Sequence, residues 1–431
     1  MQFQGVKGTR DFYPDAMRTR NCIVDAWRRV SLRNGFEEYD SPIFEYLDLF
    51  TVKSGQEIAG QLFHFEDRGG RKLAIRPEIT PALARMVNAK IHSLPRPIKW
   101  FSVPRLCRAE NPQKGRLREF FQWNVDVIGA DSILADAECV FVAADLLREL
   151  GLGSQDVCVR IGSRPLTLAA LAAAGVDAAR TEQALVILDK RPKLSEDEFR
   201  AFAAEGGMTA GQIESIERFQ ACPDVAALRE HFAGDASVAG HLDELGELMG
   251  ALRSFGVADY CVLDMRIVRG LAYYTGVVYE VFDRGASLRA VAGGGRYDNL
   301  LSVLGGPKVG GTGFGMGDVV LGILLDEKGR LPASAQRLEF FVLDDPPDQL
   351  DRVLAVAGVL RAKGLSADFS YKRQNVGKQL KEANRRGAER AVIVRGETVA
   401  VKNLATGQQV ERTMAEFLDR PAGGTIESCN T

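Results

Sequence analysis

Strand-like runs fall in two blocks of this sequence, and a long stretch with almost none separates them. From Phe36 to Gly129 the chain breaks into short apolar runs such as LFHFED, KLAIRPE and IKWFSVP, bounded by Gly, Pro and charged pairs. That is the pattern of antiparallel strands joined by turns. It returns at CVLDMRIV, GVVYEVF and ASLRAVAGG, followed by a glycine-dense stretch from Gly293 to Gly317. Between the blocks, residues 165–255 are rich in Ala, Leu, Glu and Lys, with loop signals at RPKLSED, EGGMTAG and ACPD separating helical stretches. A sheet that stops and resumes around a helical insertion implies a core that is discontinuous in sequence.

Other elements follow from periodicity. Ile23, Val24, Trp27, Val30 and Leu32 lie at near-helical spacing and predict a helix from Met17 to about Leu32, ended by Gly35. ILADAECVFVAADLLRELG predicts a long amphipathic helix over 132–151 that backs the sheet. LLDEKGRLPASAQR reads as a linker, after which residues 338–403 alternate strand, helix, helix, strand, strand, the pattern of a small α/β domain. The 431 residues suggest two or three domains, and the class is α+β. Expected boundaries are 1–325 for a sheet domain interrupted by the 165–255 insertion, 326–337 for the linker and 338–431 for the last domain.

Charge narrows little. Lys plus Arg total 55 against 57 Asp plus Glu, so the net charge is -2 and there is no polybasic arm. A nucleic-acid partner stays open, because binding depends on where cations cluster. The seven cysteines are far apart and form no Cys-x-x-Cys pair, which favours free thiols in a reducing compartment. The four histidines share no metal-ligand spacing, so no metal site is expected. The amino terminus lacks an apolar signal core, and the most apolar stretch, near Leu166 to Val176, is too short to span a bilayer. A cytoplasmic protein without membrane contact is the expectation.

Four clusters can carry chemistry. Arg105, Arg108, Lys114, Arg116 and Arg118 share one predicted hairpin with its turn near Gln113 to Gly115. Their guanidinium forks match phosphate oxygens, and Phe120 or Phe121 can stack on a purine. A solvated basic edge explains the hairpin equally well. Arg269 with Tyr273 and Tyr274 in VRGLAYYTGVVYE can neutralise developing phosphoryl charge, or form an ordinary Tyr-rich strand with one salt-bridged Arg. GGGRYDNLL and VGGTGFGMGDVVLGILL let backbone approach a ligand, yet they are neither a Walker A loop nor a dinucleotide fingerprint, and a turn-rich hairpin fits almost as well. Glu78 and Thr80 in LAIRPEITPALAR can hold an ammonium or cap a helix.

Taken together and in order, these segments resemble the histidyl-tRNA synthetases, a family of class II aminoacyl-tRNA synthetases. The resemblance runs from GTRDFYP through GFEEYDSPIFE, similar to motif 1 with Pro42, then RPEITP and the motif 2 block from Arg108 to Gln122. RGLAYYTG and GGGRYDNL resemble the histidine-specific signatures, GFGMGD resembles motif 3, and VGKQLKEANRRGAERAVIVRGE with VKNLATGQQ resembles an anticodon-binding domain. It implies a class II antiparallel sheet flanked by helices, with a carboxy-terminal α/β anticodon-binding domain. It also implies a homodimer with motif 1 at the interface.

The implied activity joins histidine to ATP as histidyl-adenylate, releasing pyrophosphate, and passes the acyl group to the 3' end of tRNA(His). ATP enters as a substrate with Mg2+, and no tightly bound cofactor is implied. By the resemblance, Glu78, Ile79, Thr80 and Gln122 hold the histidine backbone, Asp126 and Tyr274 read the imidazole nitrogens, and Tyr273 and Tyr297 line the pocket. An Asp supplies the acceptor that an imidazole N–H requires. Arg108 bridges the histidine carboxylate and the α-phosphate, Arg269 stabilises charge on the α-phosphate, Glu110 and Phe120 place adenine, and Arg116 meets the distal phosphates. Lys372, Arg373, Lys378, Lys381, Arg385, Arg386 and Arg390 offer an RNA-facing cationic surface.

Three positions depart from the pattern. Val320 stands where class II enzymes usually carry the motif 3 arginine, Ala272 where many relatives have Asp, and Asn111 where Arg is frequent. The rival expectation is a non-catalytic paralogue, the histidine-sensing regulatory subunit of ATP phosphoribosyltransferase, which usually lacks the anticodon-binding domain. Residues 338–409, with Arg116 and Glu110 retained, favour the synthetase.

Overall fold

The computed structural model describes residues 3–54, 60, 62–191, 194–268, 274–285, 288–331, 338–372 and 374–421. The chain divides into two compact units, Met1–Pro332 and Ala333–Thr431.

A nine-stranded sheet organises the first unit. In spatial order its strands are Glu37–Glu38, Ile98–Ser102, Glu119–Ile128, Gly311–Gly317, Ala292–Arg296, Val277–Asp283, Val157–Ser163 and Cys261–Leu263, with Arg105–Cys107 also paired to Glu119–Ile128. Neighbours are antiparallel except at the two outer pairs, where Glu37–Glu38 runs parallel to Ile98–Ser102 and Cys261–Leu263 parallel to Val157–Ser163. Strands of the two sequence blocks therefore form two halves of one sheet, joined where Gly311–Gly317 pairs with Glu119–Ile128, and the α+β expectation holds. The run CVLDMRIV yields a strand of only three residues. Asp264 ends it, taking the Arg266 backbone N–H at 3.1 Å and the Arg266 guanidinium at 2.7 Å, a local turn that competes with the ladder.

Alternation along the strands gives the sheet two unlike faces. Trp123, Val125, Val127, Phe314, Met316, Tyr279 and Val281 point into the main apolar core. Helices Pro14–Arg33, Leu134–Glu149 and Asp318–Glu327 cover that face. The first starts three residues before the predicted point because Pro14 occupies its first turn, where the fixed φ suits a helix start. Its Trp27 stacks on Trp123 at 6.2 Å, and Ser31 Oγ accepts the Trp123 indole N–H at 2.9 Å.

The helices of the insertion do not pack apart from the sheet. Leu185, Leu188, Ile216, Leu245 and Leu252 belong to the same apolar cluster as Trp27 and Val125. Phe255, just after helix Ala239–Ser254, stacks on Phe141 of helix Leu134–Glu149 at 4.7 Å. Capping boxes built on Ser195 and Thr209 start helices Glu196–Glu205 and Ala210–Gln220.

A second, three-stranded antiparallel sheet of Phe44–Tyr46, Lys72–Ile75 and His64–Glu66 leaves Phe44, Tyr46 and Phe65 exposed.

The Ala333–Thr431 unit holds a five-stranded sheet in the order Ala367–Phe369, Leu338–Asp344, Ala388–Arg395, Thr398–Asn403, Gln409–Thr413. The first three strands are parallel and the last two pairings antiparallel. Helices Leu350–Ala362 and Val376–Arg385 pack on it. Sequence reading missed the two outer strands and helix Met414–Asp419. Ala367–Phe369 is only three residues long, and Gln409–Thr413 is almost wholly exposed, so neither carries a buried alternating stripe.

Candidate active site

The face of the large sheet turned away from the main core is floored by glycine. Two rows of paired residues cross it. One runs Gly162, Val278, Gly295, Gly313, Asp126, Trp100, and the next runs Arg160, Glu280, Gly293, Gly315, Asn124, Ser102. Larger side chains would not fit. A methyl on Gly315 would lie 2.8 Å from Gln122 Cδ, and one on Gly295 would lie 2.5 Å from the Val277 carbonyl oxygen and 3.0 Å from the Tyr274 ring. A methyl on Gly313 would overlap Asp126 Oδ1 and sit 2.5 Å from the Val125 carbonyl oxygen.

A small polar pocket stands on the first row. Tyr297 donates its phenol hydrogen to Asp126 Oδ1, and both residues are buried. Burial first, and the Asp126 charge second, push the Tyr297 phenol well above its usual pKa, so it remains a protonated donor. Tyr274 is buried against Gly295. Tyr39 shares this environment, which the sequence did not reveal. Its hydroxyl is buried without a hydrogen-bond partner among the described residues, and burial with the Asp126 charge raises its pKa well above the usual value. The Tyr39 backbone N–H donates to the Phe101 carbonyl oxygen at 2.9 Å, and its ring lies 5.6 Å from that of Trp100.

Beside this pocket opens a cavity of about 1040 Å³. Arg108, Arg116, Phe120 and Gln122 line it, bringing together four of the residues singled out in the sequence. Arg160, Arg266, Glu280 and Arg289 line it too and had carried no sequence signal. Arg108 donates from Nε to the Pro77 carbonyl oxygen at 3.1 Å, while its guanidinium lies 5.0 Å from the Phe120 ring centre. Arg116 is ion-paired with Glu110, so these two candidates restrain each other across the hairpin. Gln113 and Arg116 exchange backbone hydrogen bonds at 2.9 Å, and Gly115 at the tip has a φ of 77°, where a side chain would be strained.

The hairpin is braced from behind. Asp318 accepts the Phe121 backbone N–H at 2.9 Å and the Arg10 guanidinium at 2.6 Å, tying the GTRDFYP segment to the start of helix Asp318–Glu327. Burial raises the Asp318 pKa and Arg10 opposes that shift. Arg76 of RPEITP is buried and structural, binding Asp40 at 2.6 Å and the Arg105 carbonyl oxygen at 3.1 Å.

Glu78 and Thr80 do not cap a helix by their side chains. Helix Thr80–Lys90 has Ile79 at its N-cap with no side-chain cap bond. Ile79 is wholly buried, and Glu78 directly follows Pro77, the acceptor for Arg108. Arg269, Tyr273 and Ala272 lie outside the described residues. Among the described residues no group of three or more His, Cys, Asp and Glu side chains is placed to hold a metal ion, and no helix is long and apolar enough to cross a membrane.

The family model for histidyl-tRNA synthetase matches residues 8–317, and an anticodon-binding-domain model matches residues 340–420. A histidine–tRNA ligase of Opitutus terrae is 40% identical, covering 91% of this chain and 90% of the relative. The chloroplastic/mitochondrial histidine–tRNA ligase of Arabidopsis thaliana is 38% identical, covering 95% of this chain and 85% of the relative. Among solved structures, the histidyl-tRNA synthetase of Nostoc sp. PCC 7120 superposes with a TM-score of 0.83 at 24% identity, over 98% of this chain and 100% of that one. With a family model spanning most of the catalytic elements and relatives of this identity along nearly the whole length, the chain belongs to the histidyl-tRNA synthetase family.

Proposed function

We propose that the glycine-floored pocket holds histidine and the arginine-lined cavity beside it holds ATP, as the two substrate sites of one ligase. The chain is a histidine–tRNA ligase, which activates histidine with ATP and joins it to tRNA. The observation that carries the site assignment is the Asp126–Tyr297 pair standing on the same strand face as Gln122, at the edge of the cationic cavity. Asp126 accepts an imidazole N–H and Tyr274 meets the other ring nitrogen, while Tyr297 orients the aspartate. Tyr273 is assigned to histidine by the family pattern alone, and Glu78, Thr80, Gln122 and the Ile79 backbone are assigned to the amino-acid end.

Activation needs no general base, because the histidine carboxylate is already ionised at neutral pH. One carboxylate oxygen attacks the α-phosphorus, the bond from that phosphorus to the bridging oxygen breaks, and pyrophosphate leaves with the electron pair. Rate comes from positioning and from cations aimed at the growing negative charge. Arg108, fixed by Pro77, spans carboxylate and α-phosphate, and Arg269 is assigned the growing charge on the α-phosphate. Phe120 and Glu110 place the adenine, and Arg116 swings from Glu110 to the distal phosphates. Mg2+ accompanying ATP would neutralise phosphate charge, and Glu280 on the cavity lining would offer it a hard oxygen donor. In the second step the terminal ribose hydroxyl of tRNA attacks the acyl carbon and AMP leaves.

Residues 338–431 are the anticodon-binding domain in this reading, joined by the 326–337 linker to the catalytic domain of 1–325. Retention of that domain speaks against a regulatory paralogue. The exposed Phe44, Tyr46 and Phe65 support a homodimer through the small sheet, which sedimentation would test. The six described cysteines are free thiols, consistent with a cytoplasmic enzyme. Histidine-dependent pyrophosphate release from ATP, followed by charging of tRNA(His), tests the whole reading. Histidine binding without pyrophosphate release would overturn it.

A further inference from the structure

Resting on the assignment of the large cavity to ATP, we propose that Arg289 is a ligand of the ATP triphosphate and supplies the cation that helix Asp318–Glu327 does not. That helix presents Val319 and Val320 to the cavity, so its first turn brings no positive side chain there. Arg289 stands beside the same spot. A methyl built on Gly115, at the tip of the 108–118 hairpin, would meet Val320 Cγ2 at 3.2 Å and Arg289 Cδ at 3.8 Å. The arginine stem therefore lies against the hairpin where Val320 also reaches it, and Arg289 lines the same cavity as Arg108 and Arg116.

Most of the other cavity cations rest against a carboxylate. Arg116 is paired with Glu110, Arg266 with Asp264 at 2.7 Å, and Arg160 with Asp264 at 3.4 Å. Arg289 meets no carboxylate within 4.0 Å among the described residues; Nη1 donates only to the neutral Gln113 Oε1, at 3.4 Å. Such a bond is weak and easily exchanged for a charge-assisted one to a phosphate. The backbone around Arg289 is held while its head is exposed. The Leu288 N–H donates to Asp283 Oδ1 at 3.1 Å, and the Val291 N–H donates to the Val281 carbonyl oxygen at 2.8 Å. A fixed backbone with an unneutralised guanidinium at the rim of a cationic cavity is suited to closing on a polyanion.

Steady-state histidine-dependent pyrophosphate release tests this. Arg289→Ala raises KM for ATP roughly tenfold or more, the loss expected of a charged hydrogen-bonding partner. KM for histidine and transfer to tRNA from preformed histidyl-adenylate stay unchanged, and Arg289→Lys recovers part of the loss. Gln113→Ala, which removes only the resting partner, raises KM for ATP less. Equal effects of Gln113→Ala and Arg289→Ala would mean that the arginine merely holds the hairpin, and would overturn the inference. An unchanged KM for ATP in Arg289→Ala would overturn it as well. Absence of pyrophosphate release in the unaltered protein would instead remove the ATP assignment itself, and this inference with it.

Discussion

Tyr297 donates to Asp126 Oδ1 directly beside Gly313, the residue paired with Asp126 across the sheet. The phenol keeps its proton because burial and the neighbouring charge both oppose ionisation. One hydrogen bond thus fixes the aspartate as an acceptor, and the missing side chain at position 313 leaves space for it.

Tyr297→Phe keeps the ring against Gly311 and removes only the donor. KM for histidine should rise roughly tenfold, the worth of a hydrogen bond to a charged group, with KM for ATP little changed. Steady-state kinetics with each substrate varied separately would show it; equal rises for both would count against a pocket role.

Gly313→Ala should harm both fold and binding. Its methyl meets Asp126 and the Val125 carbonyl, and overpacking of this kind costs about 1–3 kcal/mol. Gly317→Ala is the comparison, since nothing lies within 4 Å of its added methyl. Urea titration should separate the two, and histidine titration calorimetry should show binding lost in the first.

Asp136 is fully buried and receives Arg296 Nε at 2.9 Å, while Arg296 also reaches the Ser132 carbonyl oxygen at 3.0 Å. Replacing Asp136 by Ala leaves the Arg296 guanidinium with only the longer ion pair to Asp298, at 3.3 Å, as a charged partner, and about 2–3 kcal/mol of stability should go with it. Denaturant unfolding would measure this, and a loss below about 1 kcal/mol would contradict the pairing.

The ring of His231 lies 4.9 Å from that of Phe232 and 5.8 Å from that of Phe219. Burial, with Arg218 close by, holds its pKa below the usual value. The folded protein keeps the ring neutral while the unfolded chain takes up a proton near pH 6.5, so its contribution is complete above that pH. It is lost as pH falls through the lower pKa of the folded ring. His231→Leu should therefore flatten part of the fall in Tm between about pH 7 and pH 5, and an unaltered pH profile would speak against it.

Much of this was legible in the chain, for physical reasons that also mark the limits. Alternation in EFFQWNVDVI shows because one face is dry and the other faces a pocket, which sets Gln122, Asn124 and Asp126 together on one side of the strand. Helix Leu134–Glu149 was plain because ten of its residues are buried. Tyr39 and Arg289 left no trace. The first enters the pocket by the parallel pairing of Glu37–Glu38 with Ile98–Ser102, and the second meets Gln113 of the 108–118 hairpin across 176 residues of sequence. Neither contact has a sequence period. The ion pair of Arg116 with Glu110 was equally hidden, since six residues of separation mean little until a hairpin closes them.

The single apolar cluster that runs from Trp27 through Ile216 to Leu252 makes the insertion something other than a cassette. Excising residues 165–255 would not return a smaller enzyme; it would unroof Phe141 and leave one wall of the interior facing water. Nor could the helices be exchanged wholesale with those of a distant relative, because each graft would have to match a seam cut by the host sheet. Heat should melt sheet and insertion in one cooperative step, and evolution is left to edit this region residue by residue from its outer surface.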